Sequence, residues 1–441
     1  MALSWRRPAG ALALAALALV STAPSIEAGG SRKDDAAEKV NAQAGETARK
    51  GFEAYHKRDY RKARPLLEKA VEEGQEVDTC RSFLARIAYF YAEDEVARDQ
   101  LSKIAKKTQW DEWLGVALDG PYKKTLGEAQ RCVEGKTPKG YYYLVTDVGF
   151  DRKEWEGLKP QIAAAEKKGN KKALAALKGE GWKEVAGFCD QIFEEYGKVF
   201  PSKLFTKDDK LVSRVFVIRE RGDYIDFGMS IGNTQEWLEK TAGYYTPFMR
   251  LLVVDASERG KKFKFLWQSG REVLFHEAFH QYIDYFIESC PTWFNEGLAM
   301  YFEEYDEDPK AGGKLVLGPV KRKPDLAGGM TNFQIITGAL LPTAKDPVLP
   351  LKQFTAGDTP DFYEKEKMYI RYAEGWSVIR FLVEGHKNGK KILLEYIKAL
   401  KEGKTAEEAQ AIAFKGEDFD KLEKMYRAYF KRLGEIDPGK N

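Results

Sequence analysis

Histidine and cysteine are both scarce in this sequence. Only four of each occur in 441 residues, and the cysteines lie far apart. Cysteine-based zinc sites use closely spaced cysteine pairs, so a metal cluster of that kind is excluded. Cys80, Cys132, Cys189 and Cys290 leave two alternatives open, which are one or two disulfides or buried free thiols.

An excess of charge of one sign is also missing. Lys and Arg number 71 against 68 for Asp and Glu, and no dense basic block occurs. Nucleic acid is therefore not expected as a partner. Hydrophobic residues make up 43% of the chain, which predicts a folded protein, and its length predicts two or three domains.

A long apolar run occurs near the N-terminus. It covers residues 9–20, follows Arg6 and Arg7, and leads through small residues to Ala28. This order is typical of a secretory signal peptide, and the run is shorter than the ~20 residues that span a bilayer. We therefore expect a signal peptide over residues 1–28, a secreted or periplasmic protein, and no stable membrane span after cleavage.

Residues 40–125 contain helix-compatible segments with a 34-residue period. The equivalent small and large apolar positions are Gly51 and Ala85, Tyr55 and Tyr89, Ala63 and Ala97, Leu67 and Leu101, and Ala70 and Ile104. The stretch resembles two tetratricopeptide repeats, the second one degenerate. This resemblance implies either a surface for a protein partner or a structural cap, and an ordinary pair of helical hairpins is the alternative.

The pattern changes from residue 141 to a mixture of strands and helices. β-branched and aromatic content predicts strands, whereas apolar periodicity predicts helices. The predicted strands cover residues 141–146, 212–218 and 244–254. The predicted helices cover residues 183–200, 270–289, 291–304, 367–384, 389–401 and 405–432, and long loops are expected over residues 305–360.

Two of the four histidines lie four residues apart. Residues 276–280 read His-Glu-Ala-Phe-His, and neither Pro nor Gly occurs within residues 272–289. On a helix this spacing puts both imidazoles on one face, where they can bind one zinc ion. The motif predicts His276 and His280 as metal ligands and Glu277 as a general base that takes a proton from water.

A catalytic zinc ion usually has three protein ligands and one open position. Glu296 is the best third candidate, because Pro291 suits the first turn of a new helix soon after the histidines. Its neighbours are apolar, so an unpaired carboxylate there would be costly. If the third ligand were a histidine, it would have to be His56 or His386. Asp284 either orients a ligand or is a solvated helix charge.

These two segments resemble the gluzincin zinc metallopeptidases, whose pattern is two histidines from one helix and a glutamate from the next. The resemblance rests on His-Glu-Ala-Phe-His-Gln at residues 276–281 and on Trp-Phe-Asn-Glu-Gly-Leu-Ala at residues 293–299. The spacing from His280 to Glu296 is closer to the peptidase-MA-like families of exported bacterial proteins than to the thermolysin and aminopeptidase branches.

Softer matches extend the resemblance to residues 183–386. They are Gly-Tyr-Tyr at residues 243–245 and Tyr-Ala-Glu-Gly-Trp at residues 372–376. No Gly-Ala-Met-Glu-Asn motif is found, so an anchor for a substrate's N-terminal amine is not implied. The implied fold class is α+β, with the helical repeat-like segment followed by a zincin-like domain over residues 141–435. That domain has a small mixed sheet, an active-site helix and a helical C-terminal part.

The resemblance also implies an activity, which is zinc-dependent hydrolysis of peptide bonds in a peptide or protein substrate. Zn²⁺ is the implied cofactor, and Glu277 would pass its proton to the leaving amine. Gluzincins commonly add a Tyr or His donor to the oxyanion, and Tyr372 is the candidate that the pattern gives. The alternative candidates for this donor are Tyr369, His386, Tyr244 and Tyr245.

Two other functions remain open. The first is an exported binding or scaffold protein with a structural or inactive zinc site. The second is a carboxylate-bridged di-iron protein, because residues 53–56 and 277–280 both read Glu-x-x-His. A di-iron site also needs two bridging glutamates from other helices.

Overall fold

The computed structural model describes residues 44–120, 133–148, 160–199, 211–257, 268–308, 314–321 and 330–435, except for positions 162, 166, 171, 174–178, 288 and 365. The expected signal peptide lies outside these residues. Within them the protein is mixed α/β, with many helices and a small mixed sheet.

Within residues 44–120 the chain forms five helices. They are α1 (Glu46–His56), α2 (Tyr60–Glu72), α3 (Val77–Phe90), α4 (Asp94–Ser102) and α5 (Gln109–Asp119). The ends of α1 and α3 lie 34 positions apart, as do the starts of α2 and α4. All ten positions of the 34-residue pattern are buried. Gly51 allows α1 and α2 to approach closely, because a Cβ there would lie 2.8 Å from Leu67. The tetratricopeptide assignment stays a prediction.

A five-stranded sheet forms the centre of the next part. Its strands are β1 (Val133–Lys136), β2 (Tyr142–Thr146), β3 (Ser213–Ile218), β4 (Gly243–Thr246) and β5 (Leu251–Asp255), in the order β1-β2-β3-β5-β4. The strands β2, β3 and β5 run parallel, whereas β1 and β4 pair antiparallel at the two edges. The helices between these strands include α6 (Gly179–Val199), α7 (Arg221–Ser230) and α8 (Gln235–Leu238).

The prediction of one strand over residues 244–254 is wrong. This segment contains β4 and β5, which form a hairpin with Tyr244 opposite Val253. The turn begins at Pro247, whose nitrogen carries no hydrogen to donate to a strand ladder. Arg250 then adopts a left-handed backbone with φ of 48°, which reverses the chain before β5.

The C-terminal part is mostly helical. Its elements are α9 (Gln268–Asp284), α10 (Thr292–Phe302), β6 (Tyr305–Asp308), β7 (Lys314–Leu317), α11 (Asn332–Ala339), α12 (Leu351–Phe354), α13 (Met368–Arg380), a π-helical turn (Phe381–Gly385), α14 (Gly389–Lys401), α15 (Ala406–Ala413) and α16 (Phe419–Glu435). The expectation of loops over residues 305–360 is wrong where β6, β7, α11 and α12 lie. The segment 405–432 contains two helices, because the chain turns at Gly416 with φ of 88°.

The described residues form two compact units. One comprises those up to residue 194 together with those from 211 to 281, and its core includes the sheet. The other comprises residues 195–199 and the described residues from 282 onward. In that second unit, Trp293 and Trp376 are among the largest fully buried side chains.

Helices α10 and α13 touch at two glycines. A Cβ on Gly297 would lie 2.5 Å from the Gly375 carbonyl oxygen, and one on Gly375 would lie 2.9 Å from the Trp293 carbonyl oxygen. Both obstacles are backbone atoms, which cannot rotate away. Only glycine therefore allows the two helices this separation.

We expect Gly297→Ala to lower the free energy of unfolding by about 1–3 kcal/mol or more, because its methyl group would force α10 away from α13. Urea unfolding of the metal-free protein measures this change. The matched control is Gly338→Ala in α11, where a Cβ would meet nothing within 4 Å. Equal stability of the two variants would contradict the close contact between the helices.

Candidate metal centre

Helix α9 carries both histidines of the motif. The ring centroids of His276 and His280 lie 4.7 Å apart, as the one-turn spacing on a continuous helix requires. The relative exposure is 1% for His276 and 9% for His280. The two imidazoles are thus withdrawn from bulk solvent and share one face of the helix.

The sheet fixes the orientation of α9. The Gln281 side-chain amide donates hydrogen bonds to the carbonyl oxygens of Arg214, at 2.9 Å, and Arg250, at 2.7 Å. A Cβ on Gly243 in β4 would collide with the Val273 side chain, so strand and helix are in close contact there. These contacts hold the helix against rotation about its axis, and thereby fix the direction in which the histidines point.

Glu296 lies in the second turn of α10. Pro291 is the residue before this helix, and the Asp358 carboxylate accepts a 2.7 Å hydrogen bond from the Thr292 backbone N–H. A carboxylate at this end satisfies an unpaired amide of the first turn and complements the helix dipole. Glu296 itself is 4% exposed.

The structure brings together His276, His280 and Glu296. Their ligand atoms all lie within 4.8 Å of one another, and all three residues are buried. Two imidazole nitrogens and a carboxylate oxygen are a donor set that suits zinc. The chemistry and burial of this group fit a metal ion, because a cation offsets the cost of burying a carboxylate. No other group of three or more His, Cys, Asp or Glu residues meets this criterion within the described ranges.

Glu277 lies between the two histidines in sequence and is 2% exposed. Burial is the main cause that raises the pKa of Tyr224 in α7, and the negative charge of Glu277 raises it further. The Tyr224 hydroxyl is 2.8 Å from the Thr241 hydroxyl oxygen. Glu277 is therefore a buried carboxylate in the same helix as the two histidines.

Tyr372, the expected oxyanion donor, lies in α13. It is buried, and its ring packs against Phe362 with centroids 5.2 Å apart. Tyr369 is 41% exposed in the same helix. The catalytic role of Tyr372 stays a prediction.

The other candidate residues have separate surroundings. Tyr244 is buried against Tyr224 and Trp237, and burial raises its pKa well above the usual value. His386 is buried with its Nε2 3.7 Å from a Glu417 carboxylate oxygen. Tyr245 lies in β4, and Asp284 lies at the end of α9. His56 lies at the end of α1, beside Tyr55 and Phe83.

Sequence reasoning missed Tyr363. Its hydroxyl donates to Glu296 Oε1 across 3.5 Å, and Tyr363 lies in a turn 67 positions after Glu296 in the sequence. Burial is the main cause that raises the Tyr363 pKa well above its usual value, so the hydroxyl keeps its proton. No motif or spacing in the sequence indicated this contact.

The described cysteines are free thiols. They are Cys80, Cys189 and Cys290, whereas Cys132 lies outside the described residues. Burial raises the pKa of Cys80 to about 12 and also raises that of Cys189. Since the thiolate is the reactive form, these two residues have the character of inert core thiols.

Among the helices in the described ranges, none has the length and apolar character needed to cross a membrane. Comparisons of the sequence with known protein families and with curated proteins find no match.

Proposed function

We propose that this protein is an exported zinc-dependent peptidase of the gluzincin type. The observation that carries the proposal is the buried group of His276, His280 and Glu296, whose ligand atoms lie within 4.8 Å of one another. Three protein ligands are the number typical of a catalytic zinc site, whereas a structural site usually has four. The group therefore favours a catalytic site over a structural one.

The proposed reaction assigns each residue a separate task. The histidines and Glu296 would hold the ion. A bound Zn²⁺ lowers the pKa of water toward ~7 and polarises a carbonyl group. Glu277 takes the proton from the attacking water and gives it to the leaving amine nitrogen. Tyr372 donates a hydrogen bond to the carbonyl oxygen as negative charge develops on it.

The wider organisation belongs to the same proposal. Residues 1–28 act as the signal peptide, residues 40–125 form tetratricopeptide-like repeats, and residues 141–435 form the peptidase domain. The 34-position offsets between α1 and α3 and between α2 and α4 support the repeats. The substrate is a peptide or protein, and the repeats offer a surface for a protein partner.

Digestion of a broad peptide library by the zinc-loaded full chain tests the proposal. We expect new peptide termini, loss of cleavage after metal removal with 1,10-phenanthroline, and recovery on addition of Zn²⁺. Mass spectrometry identifies the cleaved bonds. An intact library after digestion by the zinc-loaded chain, or equal cleavage by the metal-free chain, would overturn the proposed activity.

A further inference from the structure

A short segment between α12 and α13 contacts the helix that carries Glu296. We name residues 358–363 the buttress segment. Asp358 binds the first backbone N–H of α10, and Tyr363 binds the Glu296 carboxylate four residues later. The segment thus touches α10 at both its N-terminus and its candidate metal ligand.

An ion pair anchors the buttress segment to α13. The Arg371 guanidinium binds both carboxylate oxygens of Asp361, at 3.0 and 2.9 Å, and a third nitrogen binds Glu374 at 2.8 Å. Hydrogen bonds from Arg371, and further ones from Lys367, lower the pKa of Asp361 to about 2. Two parallel hydrogen bonds fix orientation as well as distance, so the segment has a defined position on α13.

Helix α13 is itself fixed against α10. The contact between Gly297 and Gly375 lies directly beside Glu296 and Glu374 in the two helices. The backbone of α10 is consequently fixed against α13 next to Glu296, and the Glu296 carboxylate contacts Tyr363 of the buttress segment.

Tyr363 makes the final contact in this chain. The Tyr363 hydroxyl donates to Glu296 Oε1 across 3.5 Å. That distance is long for an O–H···O contact, so its strength is modest. A carboxylate that accepts a hydroxyl on Oε1 is oriented to offer its other oxygen, Oε2, to an ion.

We propose that Tyr363 is a positioning residue that orients Glu296 as a metal ligand through a single carboxylate oxygen. The inference rests on the proposed metal site and names a residue outside it. Outer partners of metal ligands typically contribute 10–100-fold to metal affinity. In this proposal Tyr363 acts through Glu296.

Zinc affinity of Tyr363→Phe, measured by competition with a chromophoric chelator, tests the proposal. We expect the affinity to fall about 10–100-fold. The visible absorption of the Co²⁺-substituted protein should also shift, because the Glu296 carboxylate would no longer be held to binding through a single oxygen. The matched control is Tyr426→Phe, which removes a buried hydroxyl 2.6 Å from Ser377 Oγ in the same unit.

The outcomes separate this inference from the proposed function. If the wild type binds zinc, and Tyr363→Phe binds it with the same affinity and has the same Co²⁺ spectrum, the role of Tyr363 alone is overturned. No zinc binding by the wild type would overturn the metal site and this inference together. If Tyr363→Phe fails to fold, X-ray absorption spectroscopy of the zinc-loaded wild type replaces it, and a Glu296 carboxylate bound through both oxygens overturns the proposal.

Discussion

Glu277→Gln is expected to reduce kcat/KM for peptide hydrolysis about 10²–10⁴-fold, which is the usual contribution of a general base. Glutamine has nearly the same shape as glutamate but cannot accept the proton of the attacking water. The metal ligands are untouched, so the zinc content should stay at the wild-type value. Initial rates on a peptide that the wild type cleaves, together with metal analysis of the same sample, measure both quantities.

The same substitution at Glu272 provides the control. Glu272 lies in α9 five positions before Glu277, on a different face of the helix. We expect Glu272→Gln to keep the wild-type rate. A Glu277→Gln variant that retains zinc and also the full rate would show that another group takes the proton. Loss of both zinc and activity would instead indicate that Glu277 supports the site structurally.

The arrangement of the two histidines could be predicted because it depends on local geometry alone. Residues four apart on a helix share a face, and residues 272–289 contain no Pro or Gly to interrupt one. Pro291 similarly indicated where the next helix begins, and α10 does begin at Thr292. The group of three ligand atoms in the structure is the one that this reasoning named, and its affinity for zinc stays a prediction.

The hairpin in residues 244–254 had one signal in the sequence, which is Pro247 within the predicted strand. The first strand contains two tyrosines and the second is mostly aliphatic, and the turn between them lacks the Gly and Asn residues that usually mark a hairpin. The reversal depends on a positive φ at Arg250, a conformation that arginine seldom adopts. Local propensity therefore favoured one continuous strand, whereas the backbone forms two.

The contact of Tyr363 with Glu296 was beyond prediction for a different reason. It joins residues 67 positions apart, through a turn whose position depends on the pair between Asp361 and Arg371. Periodicity describes residues within one element, and it has no rule for two segments joined by an irregular chain. Contacts of this kind follow from packing, and they require coordinates.

His280→Ala is expected to lower zinc affinity by more than the ~10–100-fold that loss of an outer partner costs, because a ligand itself is removed. Isothermal titration with Zn²⁺ measures the affinity. Zinc should also raise the stability of the wild type by about 2.7 kcal/mol at a concentration 100 times its Kd. The variant should gain little at that concentration, and thermal unfolding with and without Zn²⁺ provides this second measurement.

His386→Ala is the matched control, because it removes a buried histidine outside the group of three candidate ligands, and this histidine lies beside Glu417. We expect this variant to bind zinc as the wild type does, whatever stability it loses. If His386→Ala abolished zinc binding while His280→Ala preserved it, the ligand set would be wrong. Since the imidazole is lost in both variants, a difference between them can arise only from where each histidine lies.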